Sequence, residues 1–275
     1  MVPPRLSVLM SVYNGEPWVA AAVESVLGQT FSDFELLVVD DGSTDRTGAI
    51  LRTYGDPRLK VFHQPRAGLT RSLNRGIRLA SAPLLARMDA DDVALPGRFA
   101  QQVVFLDAHP DVGLLGTGCQ EVSLSGDLVR TLNPPADDRA IRRALIRENP
   151  FIHSSVVFRR DVLDVAGHYD ESLPVAQDYD LWVRMSRITR MANLREPLVL
   201  RRLTPGRVSS ARDSARLRAE VAVKIRALRS GAYPLWCAVF LAKPLVALAL
   251  PVPLRRLFRR AWPMGRSKRA AVRLP

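Results

Sequence analysis

The sequence predicts an α/β fold: a mostly parallel central sheet flanked by helices, followed by a helical appendage that is both basic and apolar. Three observations carry that reading. Over about the first ninety residues, short apolar runs alternate with stretches of helical periodicity, the pattern of β–α–β units joined by right-handed crossovers. One run, FELLVV at 34–39, is apolar almost throughout, as a strand covered on both faces must be. Finally, 275 residues, 47% hydrophobic and 24% charged, suffice for one large domain plus an appendage.

Taken in order, residues 6–10 form a short buried strand. Pro17 suits the first turn of a helix, and Val19, Ala22, Val23, Val26 and Leu27 then recur at helical spacing. Residues 34–39 are the second strand, and Asp41-Gly42-Ser43 turns into a helix over 47–54. A third strand is expected at 59–63, a third helix at 69–80 on Leu69, Leu73, Ile77 and Ala80, and a fourth strand at 84–88, ending at Asp89. Beyond Asp92 the pattern loosens into a helix at 96–108, a strand at 112–124 and a hairpin turn at Ser125-Gly126-Asp127. A basic helix at 137–147, a strand at 155–158, a short amphipathic helix at 178–186 and a long charged helix at 209–229 complete the series.

Charge divides the chain. Residues 1–183 carry 18 Lys+Arg against 24 Asp+Glu, whereas residues 184–275 carry 22 against 3, so the net +13 belongs to the C-terminal third. That end is built to meet something anionic. The two cysteines, Cys119 and Cys237, have no metal-ligand spacing, which excludes a disulfide framework or a cysteine zinc site and suits a reducing compartment.

In parallel sheets, ligands bind beyond the carboxyl ends of the strands. Ser11, Asp40 and Asp41, and the run from Asp89 to Asp92 all fall there. Asp89-Ala90-Asp91-Asp92 follows an apolar strand, and its carboxylates repel one another unless a cation lies among them. A hard cation such as Mg²⁺ or Mn²⁺ takes oxygen ligands from one or two carboxylates and keeps other positions for diphosphate oxygens. Alone, such a tetrapeptide is equally a solvated acidic turn; its place beside two other polar strand ends favours the functional reading. A pyrophosphorylase or a dinucleotide-dependent oxidoreductase would want a glycine-rich loop after the first strand, and Ser11 to Glu16 has a single glycine and an acid instead.

Ser11-Val12-Tyr13-Asn14-Gly15, Val38-Val39-Asp40-Asp41-Gly42-Ser43-Thr44-Asp45 and Asp89-Ala90-Asp91-Asp92 together resemble the family 2 glycosyltransferases, whose nucleotide-binding half has the GT-A fold. The likeness continues through Ala166-Gly167-His168-Tyr169-Asp170-Glu171 and Gln177-Asp178-Tyr179-Asp180-Leu181-Trp182, and covers about residues 5–205. It implies an inverting, metal-dependent enzyme that moves a sugar from a nucleotide-sugar donor, UDP-sugars favoured, to a hydroxyl of a glycan or lipid-linked acceptor, in cell-envelope polysaccharide or glycoconjugate biosynthesis. A sugar-nucleotide-binding protein of the same fold without transfer activity is the alternative.

The resemblance assigns residues as follows. Ser11 and Tyr13 line the nucleotide pocket, Tyr13 stacking near the base. Asp41 accepts a hydrogen bond from a base N–H, and Asp40 helps to shape the turn, although Asp-Gly-Ser also favours turns and helix starts by itself. Asp89 and Asp91 face the ribose and the metal-bound diphosphate; Asp91 is the preferred direct ligand, and Asp92 shares that duty if the acidic run shifts by a residue. Asp178 matches the general base, with Gln177 where the family usually has an acid and Asp180 as the rival base. His153 contacts the acceptor or donor phosphates, or is a structural hydrogen-bonding residue. Trp182 packs in the core or walls the acceptor pocket.

The N-terminus, Met1-Val2-Pro3-Pro4-Arg5, lacks the apolar stretch and cleavage site of a signal peptide, so the catalytic part, residues 1–205, is expected to face the cytoplasm. Residues 206–275 form the extension. Its stretch 235–254 approaches the roughly 20 apolar residues of a membrane span, but Lys243, Pro244, Pro251 and Pro253 interrupt it. An interface-lying or re-entrant segment is expected instead. Arg255, Arg256, Arg259 and Arg260, with Phe258 and Trp262, suit anionic lipid headgroups at the inner face of a membrane. Packing on the catalytic domain or a dimer partner is the competing reading. Nucleic acid is disfavoured, because the arginines flank an apolar block and no nucleic-acid motif occurs.

Overall fold

Apolar residues at every second position send alternate side chains to opposite faces of a sheet, and here both faces are covered. The computed structural model describes residues 3–173, 175–204 and 213–251. Its first half is β1 (Leu6–Val12), α1 (Val19–Leu27), β2 (Phe34–Asp40), α2 (Thr47–Leu51), β3 (Leu59–His63), α3 (Leu69–Leu79), β4 (Leu84–Asp89), β5 (Val93–Ala94) and α4 (Arg98–Ala108). Val8, Met10, Leu36, Val38, Ala86 and Met88 pack under α1 and α4. Leu9, Leu37 and Leu85 pack on the other face, with Leu73 and Ile77 of α3.

The second half is β6 (Val112–Val122), β7 (Leu128–Leu132), α5 (Asp138–Leu145), a 3₁₀ turn (His153–Ser155), β8 (Val157–Arg159), α6 (Arg160–Ala166), α7 (Gln177–Met185) and β9 (Arg190–Arg202). Among the described residues, nine strands form one sheet in the order β3-β2-β1-β4-β8-β6-β9-β5, with β7 alongside β6. The β–α–β part is parallel: β1 pairs with β2 and β4, and β2 with β3. From there the sheet turns mixed, because β8 enters antiparallel between β4 and β6. The parallel register places Ser11 beside both Val39 and Asp89, so the polar strand ends meet at one edge of the sheet.

Strand β9 has no counterpart in the sequence-based expectations. It carries four arginines and Pro197, and so lacks a strand-like apolar run. It forms because β6 offers it a parallel partner from Val112–Arg190 to Val122–Arg202. Its last residues then pair antiparallel with β5, Val93 against Leu200 and Ala94 against Val199. This return delivers Arg202 and Thr204 to the acidic turn that precedes β5.

At the opposite end of the sheet, Glu35 is 4% exposed and fully partnered. It accepts from Ser7 Oγ at 2.6 Å, Ser81 N at 2.8 Å and Ser81 Oγ at 2.7 Å, and pairs with Lys60 Nζ at 2.8 Å. Burial alone would raise its pKa; Lys60 and the serine donors overcome that and lower it to about 2. A depressed carboxylate pKa contributes stability that is present above the unfolded value, near 4.5, and is lost as pH falls toward 2. Glu35→Gln is therefore expected to cost about 3 kcal/mol at pH 7 and to flatten the acid limb of stability between those values, as read by urea unfolding at pH 7 and pH 3.

After β9 the described residues resume with α8 (Asp213–Arg229), followed by a 3₁₀ segment (Leu235–Leu241) and α9 (Ala242–Ala249). Helix α8 buries Leu217, Ala219, Val223 and Ala227 and lies against α7. Lys224 Nζ, itself buried, donates to Arg147 O at 2.8 Å and pairs with Glu220 at 2.7 Å. One side of this C-terminal stretch thus packs on α7 and the residues before it. No helix among the described residues is long and apolar enough to cross a membrane. The arginine cluster at 255–260 and Trp262 lie outside the described residues.

Candidate active site

Two loops at the ends of β1 and β2 hold each other in place. Asn14 N donates to Ser43 Oγ (3.0 Å), while Thr44 N donates back to Asn14 Oδ1 (2.8 Å). Gly15 N and Glu16 N donate to Thr47 Oγ1 (2.8 Å) and Asp45 Oδ2 (3.0 Å). Gly15 has no room for a side chain, since a Cβ there would meet Val12 Cγ2 at 2.5 Å. Asp40 shapes the turn, accepting from Ser43 N at 3.0 Å and facing His63 Nδ1 at 2.9 Å. Asp41 is buried, and its oxygens accept from Gln64 Nε2 (2.7 Å), Ala67 N (2.8 Å) and Gly68 N (2.8 Å). It braces the loop that carries Arg66, and a base N–H would have to share it with those donors. Arg66 lies over the Tyr13 ring, 3.3 Å from the centroid, on a face that a base would use for stacking.

The acidic turn follows β4. Carboxylate oxygens of Asp89, Asp91 and Asp92 all lie within 4.8 Å of one another. Asp91 accepts from Thr204 Oγ1 at 3.0 Å. Asp92 is completely buried, accepting from Ser154 Oγ at 2.5 Å and Arg202 N at 3.1 Å. Burial first, then repulsion from Asp89 and Asp91, pushes its pKa up to about 7. Such an all-oxygen set under mutual repulsion fits a hard divalent cation. Asp89 and Asp91 are its more accessible members, with Asp92 behind them.

Arg87 was missed by sequence reasoning although the signal was visible: an arginine in the middle of an otherwise apolar strand must find a partner. It is 2% exposed and ion-paired to Asp89, and its Nε and Nη1 have no hydrogen-bond partner among the described residues. Burial opposes its charge, but Asp89 prevails and raises its pKa. The same charge reaches Asp178, Tyr169 and His153.

Those three residues form the other wall. Helix α7 starts after Ala176, whose φ of 61° is the left-handed conformation, and this turn presents Asp178. Asn149 Nδ2 donates to Asp178 Oδ2 at 2.7 Å. Burial raises the pKa of Asp178, with the Tyr179 N–H, Arg87 and Asn149 pulling it back in part. Asp180, by contrast, is fully buried and spent on Arg184 (2.9 Å) and on Arg226 from α8. His153 Nε2 meets Tyr169 OH at 2.9 Å, and burial, then Arg87, holds the imidazole well below its usual pKa and hence neutral. Trp182 presents no surface to an acceptor. It is wholly buried between Phe151 and Phe158, with its ring centroid 6.1 Å from that of His153. The pocket-wall expectation for Trp182 therefore gives way to packing.

Residues 7–166 match the family described as glycosyl transferase family 2. The chain belongs to that family. It is 32% identical over 221 residues to the amylovoran biosynthesis glycosyltransferase AmsE of Erwinia amylovora, covering 78% of this chain and 82% of that one. Among solved structures it is similar to S. aureus TarS 1-349 in complex with UDP, with a TM-score of 0.69 and 19% identity over 94% of this chain and 78% of that one. It is also similar to the mannosyltransferase PcManGT from Pyrobaculum calidifontis in complex with GDP-Man and Mn²⁺, with a TM-score of 0.63 and 22% identity over 95% and 80% of the two chains. At such identities the structural likeness speaks for the fold alone, which is GT-A: a mixed sheet flanked by helices. The glycosyltransferase has its strand-end acids inside the matched family region and Asp178 beyond it.

Proposed function

We propose that this glycosyltransferase moves a hexose from a nucleotide sugar, UDP-sugars favoured, to a hydroxyl of a glycan or lipid-linked acceptor, with inversion, during cell-envelope polysaccharide or glycoconjugate assembly. The observation that carries the proposal is the pairing of two walls around Arg87: an acidic cluster at the strand ends, and a partly buried carboxylate, Asp178, with a raised pKa. The amylovoran role of AmsE supports the polysaccharide setting. The UDP held by TarS and the GDP-Man and Mn²⁺ held by PcManGT support a nucleotide-sugar donor and a divalent metal.

In this reading residues 1–205 are the catalytic unit, working at the cytoplasmic face of a membrane, and residues 206–275 are its extension. Ser11, Tyr13, Asp40 and Asp41 frame the nucleotide, and Asp89 and Asp91 face its ribose and diphosphate. Mg²⁺ or Mn²⁺ on Asp91, with Asp92 behind it, would offset the charge that builds on the departing nucleoside diphosphate. Asp178 takes the proton of the acceptor hydroxyl as its oxygen bonds to the anomeric carbon and the bond to the diphosphate breaks on the opposite side. One displacement needs no carboxylate nucleophile and inverts the centre. Neutral His153, held by Tyr169 and backed by Trp182, offers a ring nitrogen to the acceptor side.

A thermal-shift series with nucleotide sugars, with and without Mn²⁺, tests the donor, because a ligand of the folded state stabilises it by mass action. The expected result is a metal-dependent rise in Tm with at least one donor, together with nucleoside diphosphate release on incubation. Absence of both across the common nucleotide sugars would sink the proposal. Binding without release would favour a sugar-nucleotide-binding protein.

A further inference from the structure

The 3₁₀ segment Leu235–Leu241 and helix α9 are held by one side only. Cys237, Pro244 and Ala247 are buried, and this stretch packs on α8. Its outward side is unusual. From 234 to 251 every exposed residue is apolar: Leu235, Trp236, Val239, Leu245 and Val246, the rest being alanines and prolines. Leu235 is 80% exposed, Trp236 68% and Val239 62%. The single charged residue of the stretch, Lys243, is half-buried. Scattered apolar residues are ordinary on a surface, but a run with no polar member marks an interface.

Charge selects the occupant. The chain from 252 to 275 carries eight basic residues and no acidic one. A two-fold interface between copies would set the same patch against itself and bring two such tails together, which like charges oppose. An anionic bilayer neutralises them, and the aromatic Trp236 suits the boundary between headgroups and acyl chains. Crossing the membrane is not an option for these elements, since no described helix is long and apolar enough.

We propose that this face is a monotopic membrane-binding surface, whose exposed apolar side chains enter the headgroup–acyl boundary of a bilayer rich in anionic lipid, the net positive charge of the sequence after Pro251 favouring such a lipid. The proposal rests on the membrane-side reading above and gives it a physical contact. It places the transferase where a lipid-linked acceptor would be presented.

The test is co-sedimentation of the full chain with vesicles of phosphatidylcholine alone and of phosphatidylcholine with phosphatidylglycerol. Two variants accompany it, W236S/V239S/L245S and R255Q/R256Q/R259Q/R260Q. The wild type is expected to pellet with the anionic vesicles, less so as salt rises. Each variant is expected to bind at least about tenfold more weakly. Wild type that stays in solution, or an apolar variant that binds as wild type does, overturns the proposal. So does a wild-type dimer that the apolar variant disperses, with no vesicle binding by either. The altered apolar side chains are exposed, so the thermal shift given by a nucleotide sugar should match wild type in both variants. Failure of the donor reading would instead appear as a missing shift in the wild type, whatever the vesicles show.

Discussion

Asp178→Asn is expected to lower kcat about 10³-fold while leaving nucleotide-sugar binding unchanged, the range that removal of a general base produces. The substitution keeps the shape and the contact with Asn149 but cannot accept a proton. Asp180→Asn is the control. Asp180 is buried between Arg184 and Arg226, so its neutralisation removes a buried carboxylate from two ion pairs and should show as lowered Tm, with the activity of the folded fraction largely kept. Because burial raises the pKa of Asp178, the acidic limb of kcat/KM should lie above the ordinary aspartate range. The Asn149 hydrogen bond favours the ionised form, so Asn149→Ala should move that limb to still higher pH. A pH profile that Asn149→Ala leaves in place, or an Asp178→Asn enzyme with wild-type turnover, would remove Asp178 from the role.

The strand-end acids were legible because parallel strands advertise themselves: 34–39 is apolar enough to be buried on both faces, so the polar residues that follow must sit at its exit. The second wall was less so. Asp178 and Asp180 share a short helix, and helical spacing alone does not tell which side faces α8. Arg226, 46 positions from Asp180, makes the distinction. Strand β9 escaped for the same reason. Its arginines read as solvated until their partners are known, such as Glu121 for Arg201 and Asp111 for Arg190. Strand β5, only two residues long, carries no periodicity at all. What pattern alone misses here is long-range pairing of charged residues, and those pairs orient helix α7 and hold strand β9 against β6.

Asp91→Ala should weaken Mn²⁺ binding at least 100-fold in calorimetry, more than the roughly 10–100-fold typical of losing a supporting residue, and should remove the metal-dependent part of nucleotide binding. Asp91 and Asp89 are partly exposed, whereas Asp92 is fully buried behind them, its oxygens accepting from Ser154 and Arg202. Asp92→Asn should therefore cost less in metal affinity and more in the packing of β9 against the turn. The electrostatics add a pH dependence whose sign is fixed. Asp92 has a folded pKa of about 7, above the ordinary aspartate value of 3.8, so the metal-free cluster favours the protonated folded state. Its contribution to stability is present at low pH and is lost as pH rises between those values. A divalent cation relieves the repulsion that causes this, and it competes with the proton for the site. The rise in Tm given by Mn²⁺ should consequently be larger at pH 7.5 than at pH 5.5 in the wild type and near zero at both in Asp91→Ala. Equal shifts at the two pH values would separate the metal from this cluster, and an undiminished shift in the variant would assign it elsewhere.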